Sequence, residues 1–350
     1  MTTQTPELAG QRAGAAPRRP VELVHVFHPS AARALDRFAD LLGDRRVRVL
    51  PDERAFAEAL PEIEVLFAIN PPRVQWETAS RLRLVQLGSV GADHLLPAPG
   101  LPASVEIANS GGATSGPMAE YVVGQLLFLV KRFAVAEENQ RRRRWTAHAP
   151  GVLAGRRVTV LGYGPVGRRV CALLAPFSVE LSVVVRRPRP LDGVSRVYGA
   201  DDLLDVLRDT DDLVLTLPLT AATRGIVGAA ELGALPRHGH VVNVSRGGLV
   251  DERALVAALQ AGELAGAALD TVDEEPLGHD DPLWDCPGLF LGGHSSWTTP
   301  HRDEEIVRIL TKNLNRLESG QPLLNLVDRE QGYPVAPPPL PAGADRGGAQ

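Results

Sequence analysis

Two α/β domains, each a Rossmann-like doubly wound parallel sheet, with the nucleotide domain inserted into the substrate domain: that is the fold class this sequence predicts. Three observations carry it. Short apolar runs alternate with helical segments in two successive series along the 350 residues. Such runs suit parallel strands covered on both faces. The second series opens at residues 158–167, where the apolar run Val-Thr-Val-Leu leads into Gly162-x-Gly164-x-x-Gly167. Near the end, Ile306, Ile309, Leu310 and Leu314 recur at helical spacing, as in a helix that crosses back to the first domain.

Taken in order, residues 1–20 are polar and rich in Pro, Gly and Arg, and residues 333–350 are rich in Pro and Gly. Both read as disordered tails. The substrate domain is assigned to residues 21–114 and 298–332, and the nucleotide domain to residues 115–297. Residues 21–27, 47–50, 65–69, 84–87 and 105–108 are the strands of the first series, with helices over 31–42 and 53–59. A long apolar helix over 115–133 joins the domains. The second series has strands beginning at Val158 and at 181–185, 212–217, 241–244, 266–269 and 289–291, and a closing helix spans 302–317.

Composition excludes several classes. The chain is 44% hydrophobic and 23% charged with a net charge of −5, so whole-chain electrostatics give no case for nucleic-acid binding. The four arginines at 141–144 read as the exposed end of a helix. Cys171 and Cys286 are the only cysteines, so neither a disulfide framework nor a CxxC metal site is expected. The longest apolar segment, residues 121–130, is too short to span a bilayer, and the N-terminus has no apolar leader. A cytoplasmic location without membrane attachment is expected.

Each glycine of the turn has a mechanical role. Gly162 allows a tight exit from the strand, Gly164 lets a pyrophosphate approach the backbone, and Gly167 permits close helix–strand packing. Pro165 and Val166 begin the following helix, whose N-terminal N–H groups and dipole favour a diphosphate. At the end of the second strand stand Arg186 and Arg187, with no carboxylate to accept from a ribose 2′-hydroxyl. Guanidiniums there suit a 2′-phosphate, so NADP is preferred over NAD. A solvated surface cluster is the structural alternative.

Beyond three later strands come Arg246, Glu275 and His294. Ligands of open α/β sheets bind outside the carboxyl ends of strands. Reducing a 2-keto acid needs a carboxylate anchor, a hydride source and a proton donor. Arg246 supplies a planar fork, His294 an imidazole that can exchange a proton, and Glu275 a carboxylate to orient that ring. Singly, each has a structural alternative: a loop cap, an exposed acid, a satisfied core histidine. Together, behind a dinucleotide motif, they indicate an active site.

These segments resemble the D-isomer-specific 2-hydroxyacid dehydrogenase family over roughly residues 21–330. The resemblance rests on Asn243-x-x-Arg246-Gly247-x-x-Val250-Asp251-Glu252-x-Ala254-Leu255, on Leu269-Asp270 followed by Glu275-Pro276-Leu277, and on His294. It implies an NAD(P)-dependent enzyme in which Arg246, Glu275 and His294 take the roles above. By the same resemblance Asp270 faces the nicotinamide and bonds its carboxamide. Leu217, Pro218, Thr223 and Val244 line the cofactor, and Thr114 touches its nicotinamide side. The loop Gly88-Ser89-Val90-Gly91-Ala92-Asp93-His94-Leu95 resembles the family's glycine loop, whose amides near Val90 and Gly91 bind the substrate carboxylate with Arg246 and His294. Its wording is most similar to glyoxylate/hydroxypyruvate reductases, and its lack of lysine counts against a phosphite-oxidising relative. The family also implies a homodimer. A phosphoglycerate-type dehydrogenase and a nucleotide-sensing corepressor are the competing readings.

The chain departs from the family after the last strand. Gly293 rather than Pro precedes His294, and Ser295-Ser296-Trp297 follows. Trp297 either packs on the interdomain helix or narrows the site. The later pair Pro300-His301 is assigned to the surface.

Overall fold

The computed structural model describes residues 19–72 and 74–334. Of the tails read at residues 1–20 and 333–350, residues 1–18 and 335–350 lie outside it. Within the described residues the chain forms two compact units, one ending at residue 110 and resuming at 303, the other covering 111–302.

The first unit is built on β1 (Leu23–Phe27), α1 (Pro29–Arg37), β2 (Arg46–Leu50), α2 (Glu53–Ala59), β3 (Val65–Ala68), β4 (Leu84–Leu87) and β5 (Glu106–Ala108). The strands are parallel in the order β2-β1-β3-β4-β5. Every residue of β3 and β4 is buried, as two-sided cover requires. Edge strand β2 instead exposes Arg46 and Arg48, charges that discourage pairing with another chain. Asp52 starts α2 by accepting from the Ala55 N–H at 2.8 Å. The helix expected over 31–42 starts earlier, at Pro29, and stops at Arg37. Phe38 leaves helical geometry with φ −122°, and a short 3₁₀ turn, Ala39–Leu42, completes the segment.

The second unit contains α3 (Ser115–Val130), α4 (Phe133–Arg141), β6 (Arg157–Leu161), α5 (Pro165–Leu174), β7 (Glu180–Val184), β8 (Arg196–Tyr198), α6 (Leu203–Arg208), β9 (Asp212–Leu215), α7 (Ala229–Ala234), β10 (His240–Asn243), α8 (Glu252–Gln260), β11 (Gly266–Leu269) and β12 (Leu289–Leu291). Its parallel sheet has the order β12-β11-β10-β9-β6-β7-β8. The order reverses between β6 and β9, the switch point where doubly wound sheets bind ligands. Strands β9, β10 and β11 are buried at every position. The helix expected over 115–133 ends at Val130, because Arg132 adopts a left-handed φ of 55° before Phe133 starts a new helix. The arginines at the end of α4 are exposed; Arg141 pairs with Glu137 at 2.6 Å and Arg142 with Glu138.

The N-terminal edge of this sheet is closed by charge pairing. Asp212, 0% exposed, accepts from Arg156 Nε at 2.6 Å and Nη2 at 2.7 Å and lies 2.7 Å from His240 Nδ1. Beside it Asp211 pairs with Arg157 at 2.8 Å and His238 at 3.0 Å.

Helix α9 (Arg302–Glu318) returns the chain to the first unit. Its buried Asn313 donates to Gln86 Oε1 of β4 at 2.7 Å and accepts from the Leu324 N–H at 2.7 Å. The units therefore divide near 110 and 302, against 114 and 297 expected from sequence. Thr114, the N-cap of α3, and residues 298–302 belong to the second unit. Tyr333 and Pro334, assigned by composition to a tail, pair antiparallel with Val327–Asp328.

Candidate active site

The glycine turn leaves β6 at the switch point. Gly162 has φ +95°, a conformation that side chains disfavour. A Cβ at residue 167 would lie 2.2 Å from the Gly162 carbonyl oxygen, so α5 approaches the turn as closely as it does only because Gly167 has none. Gly164 differs: nothing lies within 4 Å of where its Cβ would be. That open space, at the N-cap of α5 with Pro165 in its first turn and Val166 next, is what a diphosphate needs. Val185 continues β7 by donating to the Tyr198 carbonyl at 3.0 Å, and Arg186 and Arg187 follow as exposed side chains at the strand end. The residues present therefore fit a dinucleotide with a 2′-phosphate.

Leu217 and Pro218 are half-buried just past β9, and Thr223 ties that loop by donating to the Pro218 carbonyl at 2.7 Å. Val244, only 2% exposed, packs its side chain into the core and presents the loop by its backbone alone. Thr114 is 4% exposed, and its hydroxyl faces Met118 Sδ at 3.6 Å.

Sheet register aligns the catalytic loops. Asn243 pairs with Leu269, and Leu269 with Leu291. Arg246 and His294 each follow three residues after such a register position. Strands β10 and β12 are two spacings apart, about 10 Å. Loop packing draws the segments closer still: a Cβ at residue 247 would fall 1.9 Å from the Val272 carbonyl carbon, so the Arg246 loop lies directly against the loop that leads to Glu275. Asn243 shapes the Arg246 loop by donating to the Arg246 carbonyl at 2.8 Å and accepting from the Ser245 N–H at 3.0 Å. The guanidinium donates to the Ser245 carbonyl at 2.8 Å.

His294 Nδ1 lies 2.7 Å from Glu275 Oε2, with the two side chains 37% and 36% exposed. Glu275 is held from its other oxygen by the Val272 N–H at 3.1 Å. A carboxylate only accepts, so the ring proton sits on Nδ1 and Nε2 is the nitrogen presented for chemistry. Among the described residues no group of three or more His, Cys, Asp or Glu is placed to hold a metal ion.

Asp270 has a role that sequence reading missed. It is 3% exposed, and its carboxylate accepts from the Ser295 N–H at 2.9 Å and the Ser296 N–H at 3.1 Å, while its carbonyl accepts from the His294 N–H at 2.6 Å. The turn that carries His294, whose own φ is +53°, is thereby fastened to the end of β11. Strain of that kind persists only where surrounding bonds over-determine it. Tyr121 of α3 stands beside this carboxylate; burial first, and then the Asp270 charge, push its phenol up to about 12. Residue 292 leaves no room for a side chain, since a Cβ there would meet the Tyr121 hydroxyl at 2.1 Å and Asp270 Oδ1 at 2.6 Å. The glycine at the strand end was the available signal for this close approach. Trp297 stands edge-to-face to the His294 ring, with centroids 6.3 Å apart at 85°, and Arg302 lies over its indole at 4.8 Å. His301 is exposed.

In the first unit the loop after β4 is held by carbonyl oxygens. Ser89 Oγ donates to the Gly91 carbonyl at 2.8 Å, Asn109 Nδ2 to that of Val90, and the Ser110 N–H to that of Ser89 at 2.9 Å. The N–H groups of Val90 and Gly91 are the donors an anion would use.

A dinucleotide turn at a sheet's switch point, with an imidazole–carboxylate pair and a guanidinium loop beyond the same strand edge, defines a nicotinamide-dependent oxidoreductase. Residues 123–296 match the family model "D-isomer specific 2-hydroxyacid dehydrogenase, NAD binding domain". Glyoxylate/hydroxypyruvate reductase A of Klebsiella pneumoniae is 34% identical over 216 residues, 62% of this chain and 69% of that protein. A D-isomer specific 2-hydroxyacid dehydrogenase of Xanthobacter autotrophicus, solved with NADPH and MES, superposes with a TM-score of 0.81 at 31% identity, covering 89% of this chain and 99% of the other. An NADPH-dependent glyoxylate/hydroxypyruvate reductase of Sinorhizobium meliloti, solved with NADP and sulfate, gives 0.80 at 29% identity, with 89% and 100% covered. The chain belongs to the D-isomer-specific 2-hydroxyacid dehydrogenase family, and it is an NAD(P)-dependent oxidoreductase.

Proposed function

We propose that this protein reduces glyoxylate and hydroxypyruvate to their 2-hydroxy acids with NADPH as the preferred cofactor. The observation that carries the reading is the 2.7 Å His294–Glu275 pair, fastened beyond the same strand edge as the open turn at Gly164. The bound cofactor supplies the hydride. For reduction His294 enters as the imidazolium: Nε2–H gives its proton to the carbonyl oxygen as the hydride arrives at carbon, while Glu275 accepts from Nδ1–H and fixes that nitrogen's position. Arg246 grips the substrate carboxylate in a planar fork. Asp270 fastens the His294 turn and, with acceptor capacity left on its two oxygens, also takes the nicotinamide carboxamide. Gly162, Gly164, Pro165, Val166 and Gly167 hold the diphosphate. Leu217, Pro218, Thr223, Val244 and Thr114 line the rest of the cofactor.

Steady-state rates on glyoxylate, hydroxypyruvate and pyruvate with each cofactor test this reading. Turnover of the first two exceeding that of pyruvate is expected; failure to reduce either of them with NADPH would refute it. Arg186 and Arg187 together clamp the 2′-phosphate. Replacing both by alanine raises the KM for NADPH by about 10- to 100-fold, the worth of one or two charge-assisted hydrogen bonds, and leaves that for NADH within about twofold. Equal rises for both cofactors would remove the clamp. A cytoplasmic homodimer completes the proposal, and light scattering that returned a monomer would contradict its assembly.

A further inference from the structure

We propose that Trp297 is a positioning residue for the His294 imidazole, and that Arg302 holds the indole in place; this rests on the reading of His294 as the proton donor. One hydrogen bond does not orient an imidazole. The Nδ1–Glu275 contact sets a distance of 2.7 Å, but the ring can still pivot about that bond. The ring–Cβ torsion of histidine is broad and roughly two-fold, so it supplies little restraint. At 37% exposure the His294 side chain is not gripped by a core either.

Trp297 supplies the missing restraint. Its ring meets that of His294 at 85° with centroids 6.3 Å apart, within the range where aromatic pairs attract edge to face. A pivot of the imidazole would break this contact, so ring angle and Nδ1 distance are set by different partners. The indole is itself immobilised. The Arg302 guanidinium stacks over it at 4.8 Å, and the Thr298 N–H donates to the Ser295 carbonyl at 2.9 Å to keep the intervening turn closed. Asp270 fastens the front of the same turn. The contact therefore joins Arg302, in the first turn of α9, to the direction in which Nε2 points.

The experiment compares the wild type with Trp297→Ala, Trp297→Phe, Arg302→Met, His294→Ala and the double variant Trp297→Ala/His294→Ala. Each is assayed for kcat and KM on glyoxylate with NADPH, and for its thermal midpoint. Trp297→Ala is expected to lower kcat about three- to tenfold, the range of one aromatic pair, with KM little changed. Trp297→Phe restores most of the loss, and Arg302→Met gives a smaller loss of the same kind. In the His294→Ala background the tryptophan substitution has no further effect, because the group it acts through is gone. An equal loss in that background, or a rise in KM with kcat unchanged, overturns the inference. If Trp297→Ala proves unfolded by its thermal midpoint, Trp297→Phe and Arg302→Met decide: wild-type kcat in Arg302→Met, or an uncorrected loss in Trp297→Phe, overturns it. A wild type that reduces 2-keto acids and loses that activity in His294→Ala secures the underlying reading on its own. No turnover by the wild type overturns both.

Discussion

Replacing His294 by alanine lowers kcat for 2-keto acid reduction by about 10²- to 10⁴-fold, the contribution of a positioned proton donor. The expectation follows from geometry. Glu275 Oε2 at 2.7 Å commits Nδ1 to structure and leaves Nε2 as the ring nitrogen for chemistry. The alanine variant retains the glycine turn, so its affinity for NADPH, measured by fluorescence titration, stays within about threefold while kcat collapses; the split follows because binding and proton delivery reside in different loops. Glu275→Gln gives a smaller fall in kcat, since the amide oxygen can still accept from Nδ1 while the negative charge is gone. A His294→Ala enzyme with more than a third of wild-type kcat would remove the histidine from the mechanism.

Arg156→Met has the largest expected effect on stability, about 3–5 kcal/mol, because it leaves the Asp212 carboxylate buried without its main counter-charge. Asp212 is 0% exposed and takes two bonds from this one guanidinium, at 2.6 and 2.7 Å. Among the described residues its other close partner is His240, itself 7% exposed. Urea unfolding would show the loss as a lower midpoint with an unchanged slope. The paired substitution Arg156→Met/Asp212→Asn recovers much of it, since the uncompensated charge is what costs most. A loss below about 1 kcal/mol would show that water or a neighbour satisfies Asp212 in the variant. The activity of the surviving folded fraction should be near normal, as this network closes the edge of the sheet opposite the catalytic loops.

Much of the fold was legible because parallel strands covered on both faces must be continuously apolar. That is why β3, β4, β10 and β11 were read close to their observed limits. Strand β8 was missed for the opposite reason. It has three residues, lies at the sheet edge and exposes Arg196, so it has no apolar run to detect. Helix ends were less legible. The stop at Val130 depends on a left-handed Arg132, a residue type with no preference for that conformation.

The sequence by itself determined the dinucleotide turn and the order of Arg246, Glu275 and His294, because strand-end position in a doubly wound sheet follows from local patterning. It also determined that this turn needs glycines, since close approach and positive φ are properties of single residues. Only the tertiary structure decided what each polar group touches. Sequence assigns Asp270 to the cofactor; the fold adds that its oxygens hold the turn of residues 294–296. Trp297 had two open readings, and it stands against the catalytic imidazole under the Arg302 guanidinium. The physical reason is range: periodicity and turn chemistry act between neighbours in the chain, whereas hydrogen bonds and ring contacts act over a few ångströms between segments that only folding brings together.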